Sequence, residues 1–165
     1  MNSHAWILRK FRANFSSFEE IWLFIRIFLL IILLPAMLRL FSLPMLMKML
    51  TPRDLRVCND QDSESRDKIV KFADYLLNRN FWIFRSTCLK RSLVLYHFLR
   101  KLGINLHVCF GVKYNGKLPD RKTQKKLEGH AWLFYNGNIF LERNAEVTKT
   151  YKLTYFFPDI MEQVG

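Results

Sequence analysis

Thiols are scarce in this chain of 165 residues. The three cysteines, Cys58, Cys88 and Cys109, are an odd number, and none has the C-x-x-C spacing. No cleavable secretion signal opens the sequence. A disulfide framework is therefore not expected, and a reducing cytoplasm is the expected compartment. Acidic charge is also short: 14 Asp and Glu face 26 Lys and Arg, which leaves +12. That excess favours acidic partners such as nucleic acid, anionic lipid or an acidic peptide, without choosing among them. No apolar run reaches the roughly 20 residues of a spanning helix. The longest, Ile27 to Leu38, has 12 residues, is bracketed by Arg26 and Arg39, and contains Pro35. Internal repeats, low-complexity tracts and a phosphate-binding glycine loop are missing as well.

What is present is a core. Half of the residues are hydrophobic, and 15 are Phe. Residues 1–50 read as an N-terminal apolar segment of two or three helices, separated near Phe15–Ser17 and at Pro35 or Pro44. Met45, Met47 and Met49 serve there as adaptable filler. This segment is either packed on the core or membrane-associated. A surface helix held by its arginines fits, and a span requires Arg26 or Arg39 to snorkel. Residues 51–165 read as the main domain. After a polar connector (51–65), a helix is predicted from Ser65, as its cap, to Asn78, with Ile69, Phe72, Ala73 and Leu76 in one stripe. An aromatic loop, "RNFWIFRS", precedes a second helix that starts at Cys88 and is stopped by Gly103. Lys90, Arg91, Arg100 and Lys101 mostly take its wet side. Beyond Gly103 the period becomes two. "NLHVCFGVKY" reads as a strand with Leu106, Val108 and Phe110 on one face. "HAWLFY", "NG" and "NIFLER" read as a hairpin. Helices followed by antiparallel strands make the fold class α+β.

The thiol in "STCLKRS" has three readings: a core residue, a metal ligand or a nucleophile. Cys88 opens a helix, where unpaired amides and the helix dipole favour a thiolate. The same amides make its own N–H a candidate oxyanion donor. Cys58 and Cys109 read as core. Of the four histidines, His97 falls near the wet side of its helix, and His107 points away from the apolar face of its strand. His4 has no carboxylate placed across from it. His130 opens the first hairpin strand, and Glu142 closes the second. A two-residue loop pairs His130 with Arg143 and turns Glu142 to the other face. A three-residue loop, Tyr135 to Gly137, sets Glu142 opposite His130, and this is the register that the chemistry requires. Glu128 and Glu146 are rival acids without that register. Cys88, His130 and Glu142 then form a nucleophile, base and orienting acid. Trp82 could line such a site or donate its indole N–H. A zinc set of Cys88, Cys109, His107 and His130 has no known ligand spacing, and no metal is assigned.

"CLKRSLVLYHFLRKLGINLHVCFGVKYNG" followed by "GHAWLFYNGNIFLE" resembles the B proteins of lasso peptide biosynthesis, the transglutaminase-like leader peptidases. The matching positions are Cys88, Leu89, Arg91, Ser92, Leu93, Gly103, Gly111, Val112, His130, Ala131, Trp132 and Gly137, within about residues 65–145. The resemblance implies a papain-like, transglutaminase-like core and a cysteine peptidase that removes the leader of a ribosomally made precursor. Cys88 would attack, His130 would act as base and then acid, and Glu142 would orient His130. Trp82 and Trp132 are candidate substrate or oxyanion contacts. The family's third residue is often Asp, so a Glu must retract or the hairpin must shift. Residues 1–50 read as helices rather than as the leader-recognition unit of some members. A separate leader-recognition protein and an asparagine-synthetase-like cyclase are therefore implied as partners, with a membrane surface further removed and nucleic acid not expected. No cofactor is assigned, ATP included. The basic stretch "KYNGKLPDRKTQKKLE" reads as a solvated loop or as a docking edge for an acidic leader or the partner protein. Two other functions remain open: a binding or scaffold module with an idle triad, and an acyl or amide transferase with the same acyl-enzyme. The expected location is cytoplasmic, with peripheral attachment to the inner face of the membrane as a variant.

Overall fold

The computed structural model describes residues 18–52, 62–78, 87–115 and 126–158. Its elements run in the order α1 (Phe18–Leu40), α2 (Leu43–Leu50), α3 (Asp62–Leu77), α4 (Cys88–Lys101), β1 (His107–Asn115), β2 (Lys126–Tyr135), β3 (Asn138–Phe140), α5 (Ala145–Lys149) and β4 (Lys152–Phe157). The four strands form one antiparallel sheet in the order β3-β2-β1-β4. The α+β expectation is met.

Helix α4 carries the assembly. Thr87, in extended backbone, caps it by accepting from the Lys90 N–H at 3.2 Å. Its far end is a Schellman turn. Gly103, at φ 89°, donates to the Arg100 carbonyl, and Ile104 donates to Leu99. Leu93, Val94, Leu95, Tyr96 and Leu99 are fully buried. One side of α4 meets β2 and β1, and others meet α1, α2 and α3. Arg100 is buried rather than on the wet side. Its guanidinium donates to Asn105 Oδ1 at 2.5 Å and to the Leu106 carbonyl, and it lies over the Tyr96 ring. A charge at the last helical turn is used there to hold the loop into β1.

Pro35 does not divide the N-terminal segment. Helix α1 runs through it, because the buried stripe Ile27, Ile31 and Leu34 reaches the proline and holds the helix on the core. Fully burying each such side chain contributes about 1.5–3 kcal/mol. The chain breaks at Phe41–Ser42, and Pro44 then falls in the first turn of α2, where its missing N–H costs nothing. Of the three methionines read as filler, Met47 is buried while Met45 and Met49 are exposed. Helix α3 starts at Asp62, ahead of the Ser65 cap expected, so Glu64 pairs with Lys68 at 2.7 Å inside it. Lys68 also meets Glu20 of α1 at 2.7 Å, and these two carboxylates, Glu20 foremost, raise its ammonium to about 12. The predicted α3 stripe, Ile69, Phe72, Ala73 and Leu76, is buried.

His97 is not on a wet side either. Its Nδ1 lies 2.7 Å from the Leu50 carbonyl, its ring meets Phe98 edge-on, and burial lowers its pKa below 6.5. His107, stacked on Phe156, is lowered by burial too. For both, the unfolded chain binds the proton first as pH falls. Their effect is thus absent above about pH 6.5 and destabilises progressively below it. The Tm is expected to drop from pH 7 to pH 5. His97→Asn, which keeps a donor toward Leu50 but cannot titrate, should remove part of that drop. An unchanged slope in the variant would exclude His97 as a source.

Candidate active site

Helix α4 packs on strand β2. Cys88 and Ser92 are spaced by four, so they share a face of the helix. Ser92 Oγ donates to the Ala131 carbonyl at 3.0 Å in a buried bond. That bond fixes the helix one turn from Cys88 and the strand one residue from His130. Alternation along β2 puts His130 and Trp132 on one face. Their rings stack at 5.8 Å and 21°, and Tyr151 covers His130 at 5.1 Å. Gly111 of β1 lies opposite His130. A Cβ there would come within 2.7 Å of the Trp132 ring and 2.9 Å of the Lys152 carbonyl, so the stack needs glycine at that position.

The acid reaches His130 by a route that strand parity did not contain. The loop has two residues, not three. Tyr135 pairs with Asn138, and Asn136 and Gly137 take φ 46° and 80°, a type I′ turn. In that register a continued strand would turn Glu142 away. The strand does not continue. Pairing ends at Phe140, and Leu141 adopts φ 54°. This left-handed residue reverses the direction of the next side chain. Glu142 Oε2 consequently lies 2.8 Å from His130 Nε2. The ring and the carboxylate are mostly buried, and this contact occupies Nε2 rather than Nδ1.

A left-handed leucine costs about 1–2 kcal/mol, and Arg91 offsets it. Asp74 of α3 holds the Arg91 guanidinium at two points, 2.7 and 3.1 Å. Arg91 Nη1 then donates to the Leu141 carbonyl at 2.7 Å, and lies 3.8 Å from Glu142 Oε1. Arg91 therefore belongs to the site, not to the wet side of α4. Its place three residues after Cys88, nearly one helical turn, is the signal that wet-side bookkeeping overlooked. Asp74 directly follows the buried Ala73, at the edge of the α3 stripe. Thr148 had no signal in the sequence. Its buried hydroxyl is 3.3 Å from His130 Nε2 and 3.4 Å from Glu142 Oε2, and it donates to the Asn144 carbonyl at 3.1 Å.

Cys88, Arg91, His130, Glu142, Thr148 and Tyr151 border one cavity of about 300 Å³. No hydrogen bond joins the Cys88 thiol to the ring among the described residues. As the first residue of α4, Cys88 has an N–H without a partner inside its own helix. Trp132 does not border the cavity and is buried against His130 instead. Trp82, Cys58, His4 and most of the basic loop lie outside the described residues. Of the rival acids, Glu128 is on β2 facing Lys113 of β1, and Glu146 pairs with Lys149 at 2.6 Å. Among the described residues no three His, Cys, Asp or Glu side chains are grouped to hold a metal ion.

Thiol chemistry separates the cysteines. Cys109 is buried, and burial pushes its thiol up to about 12, whereas Cys88 is half-exposed on the cavity. With iodoacetamide at neutral pH, Cys88 is expected to alkylate at least tenfold faster than Cys109. Equal rates by peptide mass mapping would show that the cavity thiol is not accessible.

The family model of the transglutaminase-like superfamily matches residues 30–154. The chain belongs to the transglutaminase-like superfamily. That match takes in α1 from its middle, all of α2 to α5, the first three strands and half of β4. The superfamily includes cysteine peptidases and transferases, and Cys88 and His130 face the same cavity in its fold. No curated protein and no solved structure matched the chain.

Proposed function

We propose that this transglutaminase-like protein is a cysteine peptidase that removes the leader from a ribosomally made lasso precursor peptide. The observation that carries the catalytic part is the 2.8 Å contact between Glu142 and His130 at a cavity shared with Cys88. The leader-peptidase part rests on the resemblance in sequence. Several residues of that motif have local work here: Arg91 anchors Leu141, Ser92 ties α4 to β2, and Gly111 admits Trp132.

In the reaction, His130 takes the Cys88 proton at Nδ1 while Glu142 holds Nε2–H. The Cys88 sulfur adds to the scissile carbonyl, and the oxyanion meets the Cys88 N–H. The imidazolium protonates the leaving amine as the C–N bond breaks, which leaves a thioester on Cys88. Water, deprotonated by the same ring, then adds to the thioester. The thiolate departs, takes back the proton, and the leader leaves as a carboxylic acid. A leader-recognition protein would present the precursor, and an asparagine-synthetase-like cyclase would take the released core peptide. Neither ATP nor a metal enters any of these steps.

The test is incubation of the purified protein with such a precursor and the leader-recognition partner, read by mass. Two peptides that together equal the precursor plus one water are expected. An intact precursor would overturn the peptidase reading. An acyl fragment joined to an added amine would assign a transferase instead.

A further inference from the structure

Helix α1 has two apolar faces. Ile27, Ile31 and Leu34 face the core, with Glu20 on the same side, paired with Lys68. On the opposite side Phe18, Trp22, Ile25, Leu29, Leu33 and Leu40 follow one another at intervals of three, four or, once, seven residues. Phe18 is 82% exposed, Trp22 54%, Leu29 50%, Leu33 54% and Leu40 76%. Such a stripe of large apolar side chains exceeds the scattered exposure of an ordinary surface. Met45 and Met49 of α2, both 51% exposed, add to the apolar surface of this N-terminal segment.

The charges select the occupant. At about 100° per residue, Arg26 falls on one edge of the stripe and Arg39 on the other, and both are exposed. Arg26 lies over the Trp22 ring at 5.9 Å. Apolar residues flanked by two arginines, with an indole between, suit a helix that lies in the lipid headgroup boundary. The net charge of +12 draws the whole molecule to an anionic surface. Length alone would also permit a span, since 23 residues rise about 35 Å. Packing excludes that for the helix as it stands: α3 runs alongside α1, with Phe72 against Phe24, so a crossing would carry Lys71 and the Asp74–Arg91 pair into hydrocarbon.

We infer that the outer face of α1 is a docking surface for an anionic lipid bilayer, on which the helix lies flat with Phe18, Trp22, Leu29 and Leu33 inserted and Arg26 and Arg39 at the headgroups. The peptidase cavity has no part in this inference.

The test is flotation of the full chain with vesicles of phosphatidylcholine alone or with one-third phosphatidylglycerol. Binding is expected to the anionic vesicles, at least tenfold above neutral ones, and to weaken in 0.5 M salt. Arg26→Gln with Arg39→Gln should weaken it roughly thirtyfold, or about fivefold per arginine. Leu29→Ser with Leu33→Ser should weaken it tenfold or more. All four positions are exposed, and unchanged circular dichroism checks that the variants fold. Equal binding to both vesicle types, or variants that bind like the parent, would overturn the inference. So would oligomers in the absence of lipid that the double serine variant dissociates, which would give the face to a second copy.

Discussion

Cys88→Ala is expected to reduce precursor cleavage on the order of 10⁵-fold while the protein stays folded. Loss of a nucleophile removes the covalent path itself, and other groups of the site cannot act without it. The fold has little reason to respond. Cys88 is half-exposed at the first position of α4, and the helix is started by Thr87, whose cap to Lys90 does not involve the thiol. His130→Ala should come close to the same loss, because the base and the acid are one ring. Glu142→Gln should lose less, on the order of 10²–10⁴-fold, since the ring remains and only its orientation is freed. Thr148 Oγ1, within reach of both partners, continues to hold part of that geometry. Cleavage rates per folded protein check all three. A Cys88→Ala protein that cut at the parent rate would remove the nucleophile assignment.

The second large effect is expected at a residue that holds the backbone behind Glu142. Arg91→Lys should lower kcat by about 10–100-fold with little change in KM, the usual size for a group that orients a catalytic partner. The reason is geometric. Glu142 faces His130 only because Leu141 is left-handed, and the Arg91 fork holds that carbonyl while Asp74 holds the fork. Lysine keeps the charge but cannot span Asp74 and Leu141 together. Leu141 is then free to relax to extended backbone, which turns Glu142 away in the two-residue register. A loss of folded protein alone would lower the active fraction without changing kcat per folded molecule. Steady-state rates corrected for that fraction therefore separate positioning from stability. If kcat survived while KM rose, Arg91 would be a substrate contact instead.

The same clamp explains what was legible in the sequence. Local signals worked where local physics decides. The start of α4 at Cys88, the stop at Gly103, the α3 stripe and the alternation of β1 are set by neighbours along the chain, and they lie where the sequence places them. The hairpin turn is also local, and Asn136-Gly137 favours the two-residue type I′ loop that forms. On a straight strand only the longer loop brings Glu142 to His130. The protein achieves that contact with the other loop and a bent strand, and the bend is held by Arg91, 50 residues away. Pro35 and Arg100 follow the same lesson. Each reads locally as a breaker or a wet charge, and each is overruled by packing, Pro35 by the stripe through Ile27 and Leu34, Arg100 by the carbonyls and ring around it.

The central claim is that Cys88 is the working nucleophile of a leader-cleaving site. The most direct measurement uses a leader peptide whose C-terminal carboxyl is replaced by a chloromethyl ketone, incubated with the full chain and the leader-recognition partner, followed by peptide mass mapping. The account predicts one stoichiometric adduct on Cys88, fast in the parent, slowed by His130→Ala and absent with the same electrophile on a scrambled leader. An adduct on Cys58 or Cys109 instead, or labelling of Cys88 that ignores the leader sequence and His130, would contradict it.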